Sequence, residues 1–509
     1  MTVLRSRGVE IGQGAARIRQ RPLLLGLCLA VVAVRLTYVL HPLRPDEAGY
    51  LLIAREWEAG GEFLYGDYYV DRPPLLMLIF RVAALSDWDP LIRLLTIPFA
   101  LLFVLAAWRT GDKLAGQAGA AWAAVVGSAL MCSPAIAADQ ADGELFAAAL
   151  VMPSIALALT AWRTAPGGRR FLLAAAAGLF AGAAPLAKQN FLEGALFIAV
   201  LVVASSILSK RVGPRELSVA GGALAGILVP QVLVWGWAGS VGIEASSIWG
   251  DLAAFRVEAF EVIWSGSLQA PVARALRLVL LGLVSGVLLV LGCWVAAARP
   301  WRLRGDPVQW ATTAVLAFVF VAIVAGGSYW PHYLVQLAPG AVLAVGAVAP
   351  RLTRAGRWMR LAGTTTVAAA AVGTLVLTVA YEVSAIGWVH HRTGEWLAAS
   401  SGSRDTAFVA YGNAAVLETA DMGSPYPHLW SLPMRTLDPD QRRLRETLAG
   451  PDAPTWIVEI NGLNSWEIDE RSLLRDLVEE RYRVVVEVCG NQVWLRRGVS
   501  RPLAPVPDC

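Results

Sequence analysis

The segment RPDEAGYLLIAREWEAGGEFLYGDYYVDRPPLL, Arg44 to Leu76, sets Asp46 and Glu47 at one end and Asp71 beside Arg72, Pro73 and Pro74 at the other. A carboxylate within reach of a hydroxyl can act as a general base, and a guanidinium can hold a phosphate and meet the charge that develops on it. Asp46 and Asp71 rank highest, because one opens a helix and the other precedes a rigid Arg-Pro-Pro turn. Glu56, Glu58 and Glu62 read as solvated loop charge. Further along, ADQADGELF offers Asp139, Asp142 and Glu144, Lys188 leads Gln189 and Asn190, and Ser328, Tyr329, His332 and Tyr333 stand close together. Lys188 has two readings, a cap on the carbonyls of the preceding helix or a cation for phosphate. Arg35, inside an apolar stretch, is expected to snorkel to the interface, and His332 to be a core or interfacial residue.

No His or Cys cluster has zinc spacing, so no metal ligand is assigned; the carboxylates would hold Mg²⁺ or Mn²⁺ only if they converge. There is no glycine-rich phosphate loop in a strand-turn-helix context, and the basic residues lie in short loops, which excludes nucleic acid as a partner.

What must position these groups is a membrane. The chain has 509 residues, 56% hydrophobic and 16% charged, with a mean hydropathy of +0.54, too little polar surface for a soluble globule of this size. A span needs about 20 apolar residues. Eleven such stretches stand near 22–40, 91–108, 118–137, 146–162, 171–187, 191–208, 217–237, 272–297, 308–326, 331–350 and 361–380. Leu75 to Leu85 is too short to cross and carries Arg81, so it is expected to be an interfacial or re-entrant helix. Asp46 to Ala59 repeats Tyr50, Ile53 and Trp57 at helical spacing, which predicts an amphipathic helix on the membrane face.

The basic loops alternate along the chain, which places the N-terminus inside and, after eleven spans, the C-terminus outside. Beyond Tyr381 the composition turns polar, and TAFVAY (406–411), TWIVEI (455–460), RVVVEV (483–488) and QVWLRR (492–497) read as strands alternating with helices over 439–449 and 467–480. The expected architecture is an all-α polytopic membrane domain of about eleven transmembrane helices with a small extracytoplasmic α/β C-terminal domain. Its divisions are a cytoplasmic segment 1–21, a transmembrane domain 22–385 with a first outer loop 41–90, and the α/β domain 386–509. Cys28, Cys132 and Cys293 fall in spans, whereas Cys489 and Cys509 lie outside and could pair.

Five motifs in order, Asp46-Glu47, Asp71-Arg72-Pro73, Gly143-Glu144, LAKQNF (186–191) and HYLVQLAP (332–339), resemble those of the GT-C superfamily of integral membrane glycosyltransferases. The similarity is closest to the protein mannosyltransferase and aminoarabinose transferase branch. It implies a polyprenyl-phosphate sugar donor, an acceptor on a glycan, lipid or protein, transfer with inversion on the outer face of the plasma membrane, and contact with membrane lipid. By this resemblance Asp46, with Glu47 and Asp71, is catalytic, Arg72 holds the donor phosphate with Lys188 and Tyr333, and Asp139, Asp142 and Glu144 supply a second acidic motif. Arg72 stands where Lys is commoner in the family, a change that keeps phosphate binding. The alternative from another class is a polytopic transporter or flippase, which would favour broken helices and midplane charge.

The alternation of basic loops predicts that residues 390–509 lie outside the cytoplasm. Reporter fusions or cysteine accessibility in spheroplasts measure this directly, and a cytoplasmic C-terminal region would overturn the topology.

Overall fold

The computed structural model describes residues 3–58, 61–265, 269–298, 305–383 and 387–509, with side chains from residue 21 onward in the first helix. The apolar runs fold as helices because a helix satisfies every backbone donor and acceptor within the segment, which hydrocarbon requires. Among the described residues, eight helices are long and apolar enough to cross a membrane, or nine if the bent pair Ala245–Ser265 and Gln269–Val284 is one span. The protein is a multi-pass membrane protein.

This count differs from the expected eleven where helices are joined, short or broken. The stretches 91–108 and 118–137 share one run, Leu91–Leu130, interrupted by non-helical backbone at Ala115 and Gly116, the latter at φ 66°. A side chain on Gly111 would strike the backbone of Gly119, and one on Gly127 would meet Phe103 and Ala107. The run is therefore a tight helical hairpin, with glycine required at its turn. The stretch 191–208 forms the shorter helix Glu193–Ser209. The stretch 272–297 is divided into Gln269–Val284 and Val287–Ala298 at Gly286, whose φ is 78°.

Packing divides the chain into two compact units. The first comprises Met1–Val39, Arg93–Trp235 and Ala270–Leu377. In it the helices Gly168–Ala187 and Pro214–Ser240 meet backbone to backbone through Gly178 and Gly182 on one and Gly222 and Gly226 on the other. Small residues four apart permit such an approach, and packing holds helices together where lipid supplies no hydrophobic drive. Arg35 corrects the expectation of snorkelling. It is 2% exposed and donates to the carbonyls of Met131 and Ala138, both at 2.8 Å, and to Thr96 Oγ1 at 2.9 and 2.6 Å. After Leu130 the chain leaves its helix, and the carbonyls freed there give the guanidinium partners inside the protein.

The second unit comprises Leu40–Ile92, Gly236–Gln269 and Thr378–Cys509. By packing, then, the segment 40–92 groups with the C-terminal residues. Its helix Pro45–Arg55 is shorter than the expected 46–59, of which Ala59 lies outside the described residues. The chain turns away where Glu58 N donates to Tyr65 O at 3.2 Å, leaving Trp57 edge-on to Tyr65 and Trp237. Nor is this helix amphipathic on a surface, since every residue from Glu47 to Ala54 is buried. The helix Pro74–Ala83 does keep an apolar exposed side at Leu78 and Val82, and its Arg81 donates to the carbonyls of Ala54 and Arg55 at 2.6 and 3.1 Å, capping the helix Pro45–Arg55.

Near the C-terminus, β1 (Ala407–Val409), β2 (Trp456–Glu459), β3 (Tyr482–Val488) and β4 (Asn491–Arg496) form one sheet in the order β1-β2-β4-β3. β1 and β2 run parallel, and the other pairs are antiparallel. Phe408, Tyr426, Ile457, Tyr482 and Trp494 fill its core. The helices expected over 439–449 and 467–480 start later, at Arg442–Ala449 and Leu473–Arg481. Each follows a left-handed residue, Gln441 or Ser472. Asp438 accepts from Arg443 N and Leu444 N at 3.1 and 3.0 Å, and Asp469 accepts from Leu474 N and Arg475 N at 3.0 Å, so one capping device appears twice. Cys489 and Gly490, both at positive φ, make the two-residue β3–β4 turn, and Cys489 is disulfide-bonded to Cys509 with a Cα separation of 5.3 Å. Burial opposes ionisation of Asp405, but Arg501, at 2.8 and 2.7 Å, with Gly402 N–H and the Trp456 indole, holds its carboxyl at about 2.

Replacing Arg35 by Met keeps the stem but strands the Met131 and Ala138 carbonyls, at about 1–3 kcal/mol for each buried group left unsatisfied. Arg35→Met should lower the melting temperature of the detergent-purified protein by several degrees, while Arg21→Met, on an exposed side chain, leaves it unchanged. Equal melting temperatures for the two variants would show that the Arg35 contacts contribute nothing.

Candidate active site

In the second unit the site starts at a helix N-terminus. Pro45 opens the helix, its fixed φ suiting the first position. Glu47, fully buried, turns its carboxylate back to accept from Arg44 N at 2.8 Å. Glu47 thereby serves as a cap, whereas its neighbour Asp46 projects toward other side chains. One turn on, Tyr50 donates from its hydroxyl to Asp46 Oδ2 at 3.2 Å, and the Trp430 indole donates to Asp46 Oδ1 at 2.9 Å.

Arg72 is held extended ahead of Pro73 and Pro74, and the Tyr65 hydroxyl donates to its carbonyl at 2.7 Å. Its Nε donates to Tyr50 Oη at 2.5 Å and its guanidinium lies over the Tyr50 ring, 5.2 Å from the centroid. Nη2 stands 3.8 Å from Asp46 Oδ2, and Nη1 pairs with Asp71 Oδ1. The other Asp71 oxygen pairs with Arg256, from the helix Phe255–Ser265. Asp71 is thus clamped between two guanidiniums, and Tyr50 links Arg72 to Asp46. Burial, with Asp71 and Asp251 alongside, pushes the Tyr69 phenol up, so it stays a hydrogen-bond donor. The side chains of Asp46 and Arg256 are 28% and 35% exposed, which leaves both open to a ligand.

A second acid-base cluster lies in the first unit. Asp142 is the N-cap residue of the helix Gly143–Arg163, and Glu144 sits in its first turn. Lys188, at the end of the helix Gly168–Ala187, sends its ammonium to Glu144 Oε1 at 2.8 Å, so its side chain is directed to a carboxylate. His332 Nδ1 is 3.3 Å from Asp142 Oδ2, its Nε2 is 3.8 Å from Glu144 Oε1, and Tyr333 sets its ring edge-on to it. Asp139 is buried close by in sequence. Gln336 donates to Asn190 O at 3.0 Å and Glu193 Oε1 at 2.6 Å and accepts from Asn190 Nδ2 at 2.8 Å, which ties the Lys188 segment to the His332 segment. Among the described residues no group of three or more His, Cys, Asp or Glu side chains is placed to hold a metal ion. The Glu144 charge is met by Lys188.

The structure therefore brings Asp46, Asp71 and Arg72 together in one unit, and Asp142, Glu144 and Lys188 in the other. Sequence reasoning missed Tyr50, Arg256 and Trp430, which come from an apolar helix face and from distant segments with no motif. It also undervalued His332, whose place beside two carboxylates depends on the 3₁₀ turn Pro331–Leu337.

No protein-family model matches the chain, and no curated protein matches it. Solved structures do. ArnT from Cupriavidus metallidurans bound to undecaprenyl phosphate aligns over 93% of this chain and 97% of its own, at TM-score 0.58 and 16% identity. The same protein in the apo state gives 94%, 98%, 0.60 and 16%. The Archaeoglobus fulgidus oligosaccharyltransferase tethered with an acceptor peptide covers 91% of this chain and 72% of its own, at TM-score 0.53 and 11% identity. The chain has the fold of these structures.

Removing Lys188 alone leaves the Glu144 carboxylate, whose side chain is 3% exposed, without its cation, a change that typically costs about 3–5 kcal/mol. Lys188→Met should lower the melting temperature markedly, and the double variant Lys188→Met/Glu144→Gln should recover most of the loss. A double variant no better than the single one would show that the pair is not coupled.

Proposed function

We propose that the chain is a membrane glycosyltransferase that moves a sugar from a polyprenyl-phosphate donor to an acceptor hydroxyl on the outer face of the plasma membrane, inverting the anomeric carbon. The observation that carries this reading is the Asp46–Tyr50–Arg72 linkage with Asp71 clamped beside it by Arg256. The fold shared with ArnT bound to undecaprenyl phosphate supports it.

In this reading the acceptor oxygen attacks the anomeric carbon while the bond from that carbon to the phosphate oxygen breaks, and the bonding electrons leave with the phosphate. The acceptor proton passes to Asp46, and charge grows on the departing phosphate. Arg72 and Arg256 balance Asp46 and Asp71 before reaction. Once Asp46 takes the proton, Arg72 is released from that carboxylate 3.8 Å away, and the cluster gains a net positive charge as the phosphate becomes more negative. Base and leaving group are thereby served by one side-chain linkage. Lys188 and Tyr333 are assigned to the donor phosphate as well, and Asp139, Asp142 and Glu144 to the second acidic motif. Glu47 supports the site through the cap that orients Asp46. No obligatory metal is assigned.

The N-terminus is placed in the cytoplasm and the sheet-bearing C-terminal domain 386–509 outside, after the transmembrane catalytic domain 22–385 and its outer loop 41–90. The Cys489–Cys509 disulfide supports this side, because such bonds persist in oxidising compartments.

Asp46→Asn keeps the shape and the helix start but cannot take a proton, so transfer should fall by on the order of 10²–10⁴-fold with abundance and donor binding intact. Arg72→Ala should lower kcat/KM by about 10²-fold or more, and Arg72→Lys by much less. Membranes supplied with a panel of radiolabelled polyprenyl-phosphate sugars provide the assay, with EDTA expected to have no effect. Normal transfer by Asp46→Asn would remove the base, equal rates in both Arg72 variants would remove the phosphate cation, and rescue of Asp46→Asn by Mn²⁺ would replace the base with a metal ligand.

A further inference from the structure

We propose that a groove in the C-terminal α/β region binds a neutral oligosaccharide. The groove, about 680 Å³, is lined by the starts of the helices Arg442–Ala449 and Leu473–Arg481. These helices follow the parallel strands β1 and β2 in the chain, and ligands of open α/β sheets settle outside the carboxyl ends of such strands. The loops there are tied together, because Tyr411 donates to Leu463 O and accepts from Gln441 Nε2 at 2.9 Å. The volume lies in the roughly 300–1,000 Å³ range of small-ligand clefts.

The lining selects the ligand class. Asp438 and Asp469 are engaged in the two helix caps. The remaining charged lining is Asp440, Glu467 and Glu470 against Arg442, Arg445 and Arg471, three of each sign. An anion would meet five carboxylates, Asp438 and Asp469 included, and a cation three guanidiniums, whereas an apolar ligand would desolvate all eight. Sugar hydroxyls suit this set, since each can donate to a carboxylate and accept from a guanidinium. Next to Glu467, Trp466 is 46% exposed even with Arg435 over its ring at 5.5 Å. Trp466 and Glu467 both hold left-handed backbone, at φ 60° and 59°, a conformation that costs energy in residues with a side chain and leaves the indole exposed in the segment whose next residue, Glu467, lines the groove. An exposed indole offers a flat apolar face to the C–H side of a sugar ring.

Sugar binding here does not depend on the transferase reading, and the experiment separates the two. Full-length protein in nanodiscs is titrated with maltotetraose, cellotetraose and α-1,6-mannotetraose, read by saturation-transfer NMR. At least one tetrasaccharide should bind, at least about tenfold more weakly to Trp466→Ala and to Glu470→Gln, with unchanged melting temperatures and with normal binding by Arg72→Ala. Glu470→Gln keeps the shape, so a loss of folding in Trp466→Ala does not leave the question open. No binding of any of the three, equal binding by both groove variants, or loss of binding in Arg72→Ala would overturn the proposal.

Discussion

A charge near hydrocarbon is tolerated when a counter-charge or a set of backbone dipoles meets it, and the polar chemistry of this protein is organised by that requirement. Arg35 meets it with two carbonyls and a threonine hydroxyl, Glu144 with Lys188, and Asp71 with two guanidiniums. Apart from Arg72, the neighbour of Asp71, the partners come from segments far apart in the chain, so these pairs also pin elements that lipid alone would let slide. Pairing further fixes which groups stay open. Asp46 is held by neutral donors, Tyr50 and Trp430, with Arg72 at the longer distance of 3.8 Å, and is the more accessible carboxylate of its cluster.

The membrane helices were legible because hydrocarbon imposes length and composition directly on sequence. What hydropathy could not give was where one run folds on itself. The Ala115–Gly116 turn depends on φ of a single glycine, and the break at Gly286 falls inside an unbroken apolar stretch. The strands over 406–411, 455–460, 483–488 and 492–497 were legible from β-branched and aromatic alternation, whereas the helix starts after them were not. Their caps come from aspartates three residues ahead of left-handed residues of unrelated type, which no capping-box pattern describes.

Asp46, Asp71, Arg72, Glu144 and Lys188 were picked out by their types at helix ends. The environment of each was not. Tyr50 reads in sequence as one apolar position of a surface helix, yet its hydroxyl joins Asp46 to Arg72, and the helix is buried because Trp430 packs where a side chain on Gly49 would stand. Arg256 belongs to a stretch too polar for a span and without a motif, and its role comes wholly from tertiary placement. Arg35 misled because snorkelling is judged from distance to the interface, which says nothing of carbonyls freed by a neighbouring helix end.

Within the second unit, Trp430 reaches Asp46, Glu418 reaches Arg55 at 2.7 Å, Arg443 reaches Glu62 at 2.6 Å, and Tyr68 exchanges hydrogen bonds with Ser424. Residues 40–92 and 378–509 therefore constrain one another's evolution and recombination. A chimera that exchanges the C-terminal region with that of a distant homologue inherits a mismatched carboxylate environment at position 46 unless the first loop travels with it. The unit to exchange in such a chimera is discontinuous: a loop near the start of the chain together with a domain near its end.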